Sequence, residues 1–312
     1  MLRIVFFISV LIVALAACGP ESSRDEQALE TSSSQPLVIA SNYPLYYFAS
    51  RIAGENVTIA LPEIEGDPAD WKPGVEAIGQ LQAADLVLLN GAGYEAWLKW
   101  VSLPDDRLLD TSASFQDRLI PLAEETVHQH GPGGEHSHTG MAFTVWLDPG
   151  LAMEQARAIA GALDRLAPEN SRAHRENLAA LSSQLKELDT SLESAFREVR
   201  EHPLLFSHPV YQYLEKRYAL QGISMHWEPE QEISEKAWID LSNVLRRQPS
   251  QWMMWENTPV ASTLSRLQDY DLQAVVFRTA SNRPVSGDYF DVMSNNAVEL
   301  FRTADLIRAD QN

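Results

Sequence analysis

Short apolar runs alternate with amphipathic stretches from residue 37 onward, and this alternation constrains the fold more than any other feature of the chain. The apolar runs predict strands, and the stretches between them have the three- and four-residue spacing of helices. Strands alternating with helices favour βαβ units and a mainly parallel sheet, so we predict the α/β class. The predicted strands are residues 37–40, 57–61, 86–89, 204–206, 252–255 and 274–277.

The amphipathic stretches are predicted helices, and two of them carry boundary signals. Gly54 follows the first stretch as a C′ glycine, and Ser234 precedes another stretch as an N-cap. The short predicted helices are residues 44–53, 75–84, 94–101, 209–218, 234–247, 259–269 and 287–307.

A nearly continuous helical pattern covers residues 149–201 and divides the alternating segments into two groups. It restarts near Pro168, and from 172 to 199 its leucines recur every three or four residues, a helix of about 40 Å. We interpret the leucine stripe as a packed face; a coiled-coil partner is the alternative. The pattern predicts two lobes, residues 37–148 and 202–312, each with a mainly parallel sheet flanked by helices, joined by one long backbone helix.

The first residues have the pattern of a secretory signal that ends in a lipidation site. Arg3 precedes the uncharged residues 4–17, an apolar run too short to span a bilayer comfortably. Cys18, the only cysteine, follows Leu-Ala-Ala and resembles the cysteine of a bacterial lipobox. We predict a signal peptide over residues 1–18, a lipid on Cys18 and a flexible tether over 19–36. The protein would then be a membrane-anchored lipoprotein of the periplasm or cell surface. An ordinary cleaved signal with a chance cysteine is the alternative.

The charge of the chain excludes one class of partner. Without Arg3 the chain has 23 Lys and Arg against 43 Asp and Glu, a formal net charge near −20. Such a chain does not attract nucleic acid, and its field raises the local concentration of cations. Many acidic proteins are acidic for solubility alone, so the charge is compatible with a cationic ligand without indicating one.

A histidine-rich segment, residues 127–140, interrupts the α/β pattern. It holds four histidines, four glycines and one proline, a composition typical of a solvated loop. Imidazoles at this density bind zinc, nickel or copper. We predict that at least two of the four contact metal, with modest affinity because the loop must become ordered on binding. The four are His128, His130, His136 and His138.

Catalysis is not predicted. Ser207 and His208 are adjacent, and their side chains would diverge on an extended segment instead of forming a nucleophile–base pair. The sequence contains no HExxH, GxSxG or phosphate-binding glycine loop. We therefore expect a binding protein and not an enzyme.

Several motifs, in order, resemble the solute-binding proteins of zinc and manganese ABC importers. They are Gly66-Asp67-Pro68-Ala69-Asp70-Trp71, Val145-Trp146-Leu147-Asp148-Pro149, Ser207-His208-Pro209, Glu228-Pro229-Glu230, Trp255-Glu256 and the terminal Asp288-Tyr289-Phe290. The resemblance covers most of the chain after the tether. It implies a metal-binding cleft between two lobes that move little, zinc or manganese as the transported ligand, and an ABC permease as partner. We expect a monomer.

The resemblance also implies four ligand positions, of which one holds a good metal ligand here. His208 matches, whereas Ala69, Thr144 and Thr279 occupy the other three positions. Zinc normally requires three or four His, Cys or carboxylate ligands. We predict that oxygens of Asp67, Asp70 and Glu256 join His208, a set that would favour manganese over zinc.

Each of these candidates also has a structural interpretation. Asp70 could cap a turn, Asp67 could fix the loop, and Glu256 could pair with Arg278, whose positive charge would oppose a dication in the cleft.

Tryptophans near the expected cleft suggest a second hypothesis. If they line it, the chain is a diverged non-transport relative that binds a chelated metal or an organic ligand, or it is a partner-binding module. Trp71 is the most suggestive because it stands beside Ala69. Trp252 and Trp255 fit a strand core better. The five considered are Trp71, Trp146, Trp227, Trp252 and Trp255.

Overall fold

The computed structural model describes residues 35–122, 126–129, 135–138 and 140–310, with backbone alone for 126–129, 135–138 and 307–310. Residues 35–312 belong to one compact unit. The predicted signal peptide, Cys18, most of the tether and His130 lie outside the described residues.

The first sheet is built from strands that the apolar runs predicted, with one strand in addition. Its strands are β1 (Leu37–Ala40), β2 (Thr58–Ala60), β3 (Leu86–Leu89) and β4 (Leu108–Asp110). They are all parallel, in the order β2-β1-β3-β4. We did not predict β4, because this edge strand is short and half-buried and has no continuous apolar run.

The histidine-rich segment, predicted as a loop over 127–140, contains two short strands. β5 (Thr126–Gln129) and β6 (Glu135–His138) pair antiparallel, and His128 lies opposite His136. The loop prediction is therefore wrong for the seven of these residues that lie within 127–140. These strands consist mostly of polar residues and have no apolar face, and an apolar run is the signal by which we predicted strands.

The second sheet repeats the plan of the first. Its strands are β7 (Leu204–Phe206), β8 (Gly222–Ser224), β9 (Trp252–Trp255) and β10 (Gln273–Val276). They are parallel, in the order β10-β9-β7-β8. We did not predict β8; its Gly222 is required because a Cβ there would lie 2.2 Å from the ring of Phe206.

Eight α-helices flank the sheets in the described part of the chain. They are α1 (Tyr43–Ala53), α2 (Val75–Ala83), α3 (Pro149–Leu166), α4 (Ser171–Val199), α5 (Gln212–Tyr218), α6 (Glu235–Arg247), α7 (Ala261–Gln268) and α8 (Tyr289–Asp310). The predicted caps are present: Ser234 accepts a hydrogen bond from the backbone of Ala237, and Gly54 ends α1 at φ +67°. The helix predicted at 94–101 is wrong, since only a 3₁₀ turn forms at Ala96–Lys99.

Alternate residues of each sheet bury against different cores. On one face, Val38 and Leu88 of the first sheet and Phe206 and Met254 of the second belong to a single central cluster with the helices between them. The opposite faces form two outer clusters, one under each sheet. The long helix α4 contributes a leucine stripe to the central cluster, including the fully buried Leu185. The packed-face interpretation of that stripe is therefore correct.

Hydrogen bonds also join the two halves. The backbone N–H of Tyr43 donates to the carbonyl of Ser281 at 3.1 Å, and the hydroxyl of Tyr47 donates to Asp288 at 2.8 Å. The side chain of Asn282 donates to the carbonyl of Ile64 at 2.9 Å. A shared core and these contacts leave little freedom for wide hinge motion. The two parallel sheets flanked by helices confirm the predicted two-lobed α/β fold. In the described part of the chain, no helix has both the length and the apolar character needed to cross a membrane.

Candidate metal centre

Three potential metal ligands lie just beyond the carboxyl ends of strands in the second sheet. His208 comes two residues after β7, and Glu256 directly follows β9. Glu228 comes four residues after β8. Because the carboxyl ends of parallel strands meet at one edge of a sheet, this edge is where α/β proteins place ligands.

Backbone hydrogen bonds hold this edge beyond the strand ends. Ser207 donates its N–H to the carbonyl of Met254 at 2.8 Å, and Trp227 donates to the carbonyl of Ser207 at 2.7 Å. The registers pair Phe206 with Met254 on one side and with Ser224 on the other. Two residues further along, the same registers set His208 level with Glu256.

The side chains of the three residues converge. One ligand atom from each of His208, Glu228 and Glu256 lies within 4.8 Å of the others. Nδ1 of His208 is 3.1 Å from a carboxylate oxygen of Glu228. The His208 side chain is nearly buried, and both glutamates are partly buried. A site of this kind holds a small cation at short range from three directions.

The electrostatics of the centre favour a positively charged occupant. The pKa of Glu256 is raised to about 8, chiefly by desolvation; His208 lowers it, and Asp67 and Glu228 contribute to the rise. At neutral pH without metal, Glu256 therefore retains its proton for much of the time. A dication would take the place of that proton and compensate the neighbouring carboxylates.

The first lobe closes the centre from the other side. Asp67 and Asp70 line a cavity of about 450 Å³ together with the three converging side chains. Asp67 accepts a hydrogen bond from the N–H of Ala69 at 2.9 Å, so it caps the short 3₁₀ turn Pro68–Asp70. Its pKa is raised by desolvation and further by Asp70, although part of the side chain is exposed. The two aspartates line the site but stand outside the group of three close donors.

Arg278 lines a neighbouring cavity of about 570 Å³ and not the cavity of His208. The two cavities share Glu256, Asn257, Thr279 and Ser281. We considered a guanidinium that points into the cleft; among the described residues that line the His208 cavity there is no arginine. The ion pair between Glu256 and Arg278, considered from the sequence, is not formed.

The tryptophans do not form a ligand cage. Trp71 packs edge-to-face on Trp97 at 5.8 Å, against the outer core of the first sheet. Trp227 and Trp255 pack in the outer core of the second sheet, and the buried Trp146 donates to the carbonyl of Thr279. Among the described residues, no tryptophan lines either cavity. The aromatic hypothesis for the cleft is therefore wrong.

The donor set is compatible with first-row dications. One imidazole and two carboxylates supply three ligands of the types that zinc takes, and zinc sites with three protein ligands keep a fourth position for water. The same oxygens would also suit manganese. The residues present therefore fit a metal ion, and a water molecule or a further side chain would complete the coordination.

Comparison with known sequences decides the family. Residues 38–302 match the family described as zinc-uptake complex component A, periplasmic, or ZnuA. The chain belongs to the ZnuA family. This confirms the resemblance seen in the sequence, and because the family is one of substrate-binding transport components, it also confirms that the chain is not an enzyme.

Two similar proteins and one solved structure show how far the likeness extends. The zinc-binding lipoprotein AdcA of Streptococcus pneumoniae is 23% identical over 307 residues, which cover 95% of this chain and 60% of AdcA. The chain thus spans about three fifths of the length of that relative. The manganese ABC transporter substrate-binding lipoprotein PsaA of Streptococcus pneumoniae is 24% identical over 236 residues, 72% of this chain and 70% of PsaA. The crystal structure of Zn(II)-bound AdcA has a TM-score of 0.74 at 18% identity and covers 87% of this chain and 58% of that one.

Three of the ligand positions implied by the family resemblance hold other residues here, and the structure shows where these residues lie. Ala69 is buried in the capped turn. The hydroxyl of Thr144 donates to the carbonyl of Val210 at 2.5 Å and is buried. Thr279 lines the cavity, and its hydroxyl donates to Ser281 at 3.4 Å. Two of the three positions are thus part of the packing, and only Thr279 faces the site.

Glu228 is the candidate ligand that sequence reasoning missed. It belongs to the quoted Glu-Pro-Glu motif, but its relation to His208 depends on β8, which we did not predict. Had β8 been recognised beside β7, the carboxyl-edge rule would have placed Glu228 near His208. The histidines of β5 and β6 stay predictions, since only their backbone is described.

Proposed function

We propose that the chain is the extracytoplasmic substrate-binding component of a zinc importer of the ABC type. It would bind zinc at the centre formed by His208, Glu228 and Glu256 and deliver the ion to a permease. The observation that supports this most directly is the convergence of the three donors in a cavity between the lobes. Membership of the ZnuA family supplies the transport context.

Manganese is the second candidate substrate. Two carboxylates and the flanking Asp67 and Asp70 make the cavity rich in oxygen, which manganese prefers. The relative PsaA carries manganese in its name and AdcA carries zinc, so both ions occur among similar proteins.

We further propose that the chain works as a monomer tethered by a lipid on Cys18 at a membrane surface. AdcA and PsaA are named lipoproteins, and the sequence around Cys18 has the pattern of a lipobox. The histidines of β5 and β6 would gather metal near the cleft. Mass spectrometry of the N-terminal peptide tests the anchor: a diacylglyceryl cysteine is expected, and release of the C18A protein from membranes should accompany its loss.

The decisive experiment measures zinc binding by the full chain with His128, His130, His136 and His138 replaced by alanine. A fluorescent chelator competes for the ion, and one zinc per chain is expected. Adding His208→Ala should abolish that equivalent, whereas His202→Ala should leave it, because residue 202 precedes β7 at the opposite edge of the sheet. Retention of one tightly bound zinc in the H208A protein would contradict the proposed centre.

A further inference from the structure

A second histidine stands beside His208 at the same edge of the sheet. β8 and β7 pair in the register Gly222–Leu204 to Ser224–Phe206. The pairing continues past the strand ends, because Met225 donates its N–H to the carbonyl of Phe206 at 2.8 Å and Trp227 donates to Ser207 at 2.7 Å. The second bond slips the pairing by one residue, since a regular register would send the Trp227 N–H to His208, so His226 lies beside the segment Ser207–His208.

His226, His208 and Glu256 therefore lie on three neighbouring chain segments at one edge of the sheet. Met225 and Trp227 both pack in the outer core of the second sheet, so His226 between them points to the opposite face. Glu228, two residues after His226, returns to that face because side chains alternate along an extended segment. Four metal-binding side chains thus meet at one edge of the sheet.

The ring geometry shows how far His226 is from a shared ion. The ring centroids of His208 and His226 lie 6.3 Å apart, and the rings are perpendicular. Two imidazoles on one tetrahedral zinc, with Zn–N about 2.0–2.1 Å, have centroids roughly 5 Å apart. The ring centroids therefore have to approach by about 1 Å for the two imidazoles to share an ion. The His226 side chain is exposed whereas His208 is nearly buried, so His226 can turn without opening the core.

We propose that His226 is a fourth ligand of the metal centre. His226 would move onto the bound ion and favour zinc, nickel or copper over manganese. This inference rests on the proposed function. The three close donors contain one nitrogen and two carboxylates. Adding His226 gives two imidazoles and two carboxylates, a complete four-coordinate set for zinc. An added imidazole stabilises zinc, nickel or copper more than manganese, which prefers oxygen ligands.

The test compares His226→Ala with His202→Ala in the full chain in which His128, His130, His136 and His138 are replaced by alanine. Zinc and manganese affinities are measured separately by chelator competition. Zinc affinity should fall at least tenfold in the H226A protein, while manganese affinity should change less than twofold. The H202A protein should match the parent for both ions. An unchanged zinc affinity in the H226A protein would overturn the proposal, as would equal losses for both ions.

Two further measurements distinguish a failure of the fourth-ligand proposal from a folding defect of the variant and from a failure of the proposed function. In the unsubstituted protein, zinc should shift the NMR signals of the His226 ring nitrogens as it shifts those of His208. An unmoved His226 ring beside a shifted His208 ring overturns the fourth-ligand proposal alone. If His208→Ala leaves zinc affinity unchanged, the proposed centre itself fails, whatever His226→Ala shows.

Discussion

The indole N–H of Trp146 donates to the backbone carbonyl of Thr279 at 2.7 Å, so the segment that leads into α3 fixes the loop after β10. The bond uses the main chain of Thr279, a residue that lines the metal cavity. Position 279 can therefore change its side chain without losing this connection between the lobes.

Replacing Thr279 by aspartate should strengthen metal binding. A third carboxylate would be added to the cavity at one of the ligand positions that the family resemblance implies, and zinc affinity should rise about tenfold, corresponding to about 1.4 kcal/mol. Without metal, the added negative charge should lower the thermal stability. Chelator competition and thermal unfolding measure the two effects.

Thr279→Asn is the matched control, since asparagine has the size of aspartate without its charge. It should leave zinc affinity within about twofold of the parent. A T279D protein that binds zinc no better than T279N would show that position 279 does not reach the ion.

Glu228→Gln should weaken zinc binding far more than Glu230→Gln. Both residues line the cavity, but only Glu228 belongs to the group of three close donors. Loss of a direct ligand should cost at least tenfold in affinity, whereas removal of a nearby exposed charge should cost about two- to threefold. Equal effects in the two variants would indicate that the cavity attracts cations by its general field and not through Glu228.

The sequence predicted the fold better than it predicted the site, for a physical reason. Buried strands such as 86–89 and 252–255 have continuous apolar runs, so their bounds were predicted correctly. The short strands β4 and β8 are only half-buried and lack that signal. Ser207-His208 was recognised from its motif, but the partners of His208 depend on strand order and register. Glu228 and His226 are neighbours of His208 only through β8, a three-residue strand that the apolar pattern does not reveal.

Zinc binding should release a proton from Glu256 near neutral pH. Its pKa of about 8 means that the metal-free carboxyl is mostly protonated at pH 7, and the ion must displace that proton. Zinc affinity should therefore rise with pH up to about 8 and rise less steeply above it. Calorimetric titrations at pH 7 in two buffers with different ionisation enthalpies measure the released protons.

Substitution of Glu256 isolates this effect. Glu256→Gln should bind zinc weakly and release fewer protons, whereas Glu230→Gln should release nearly as many as the parent protein, because Glu230 is the smallest of the named causes that raise the pKa of Glu256. If the parent protein gives the same zinc-binding enthalpy in both buffers, no proton is released and Glu256 is not protonated in the metal-free protein.

The buried carboxyl of Glu95 should make the metal-free protein less stable as pH rises. Burial raises its pKa to about 7 from the ordinary 4.5, although it accepts hydrogen bonds from Ser41, Asn90 and Gly91. The folded state therefore holds this proton more tightly than the unfolded state. The resulting stability is present below about pH 4.5 and is lost as pH rises to about 7, at most roughly 3 kcal/mol.

Thermal unfolding of the metal-free protein at pH 5 and pH 8 measures this loss. Burial also raises the pKa of Glu215 to about 7, so that residue acts in the same direction over the same range. Glu95→Gln should reduce the pH dependence without abolishing it, and Glu95→Gln with Glu215→Gln should reduce it further. A parent protein that is equally stable at both pH values, or an E95Q protein with an undiminished dependence, would show that Glu95 is ionised in the folded state. The three donated hydrogen bonds would then outweigh its desolvation.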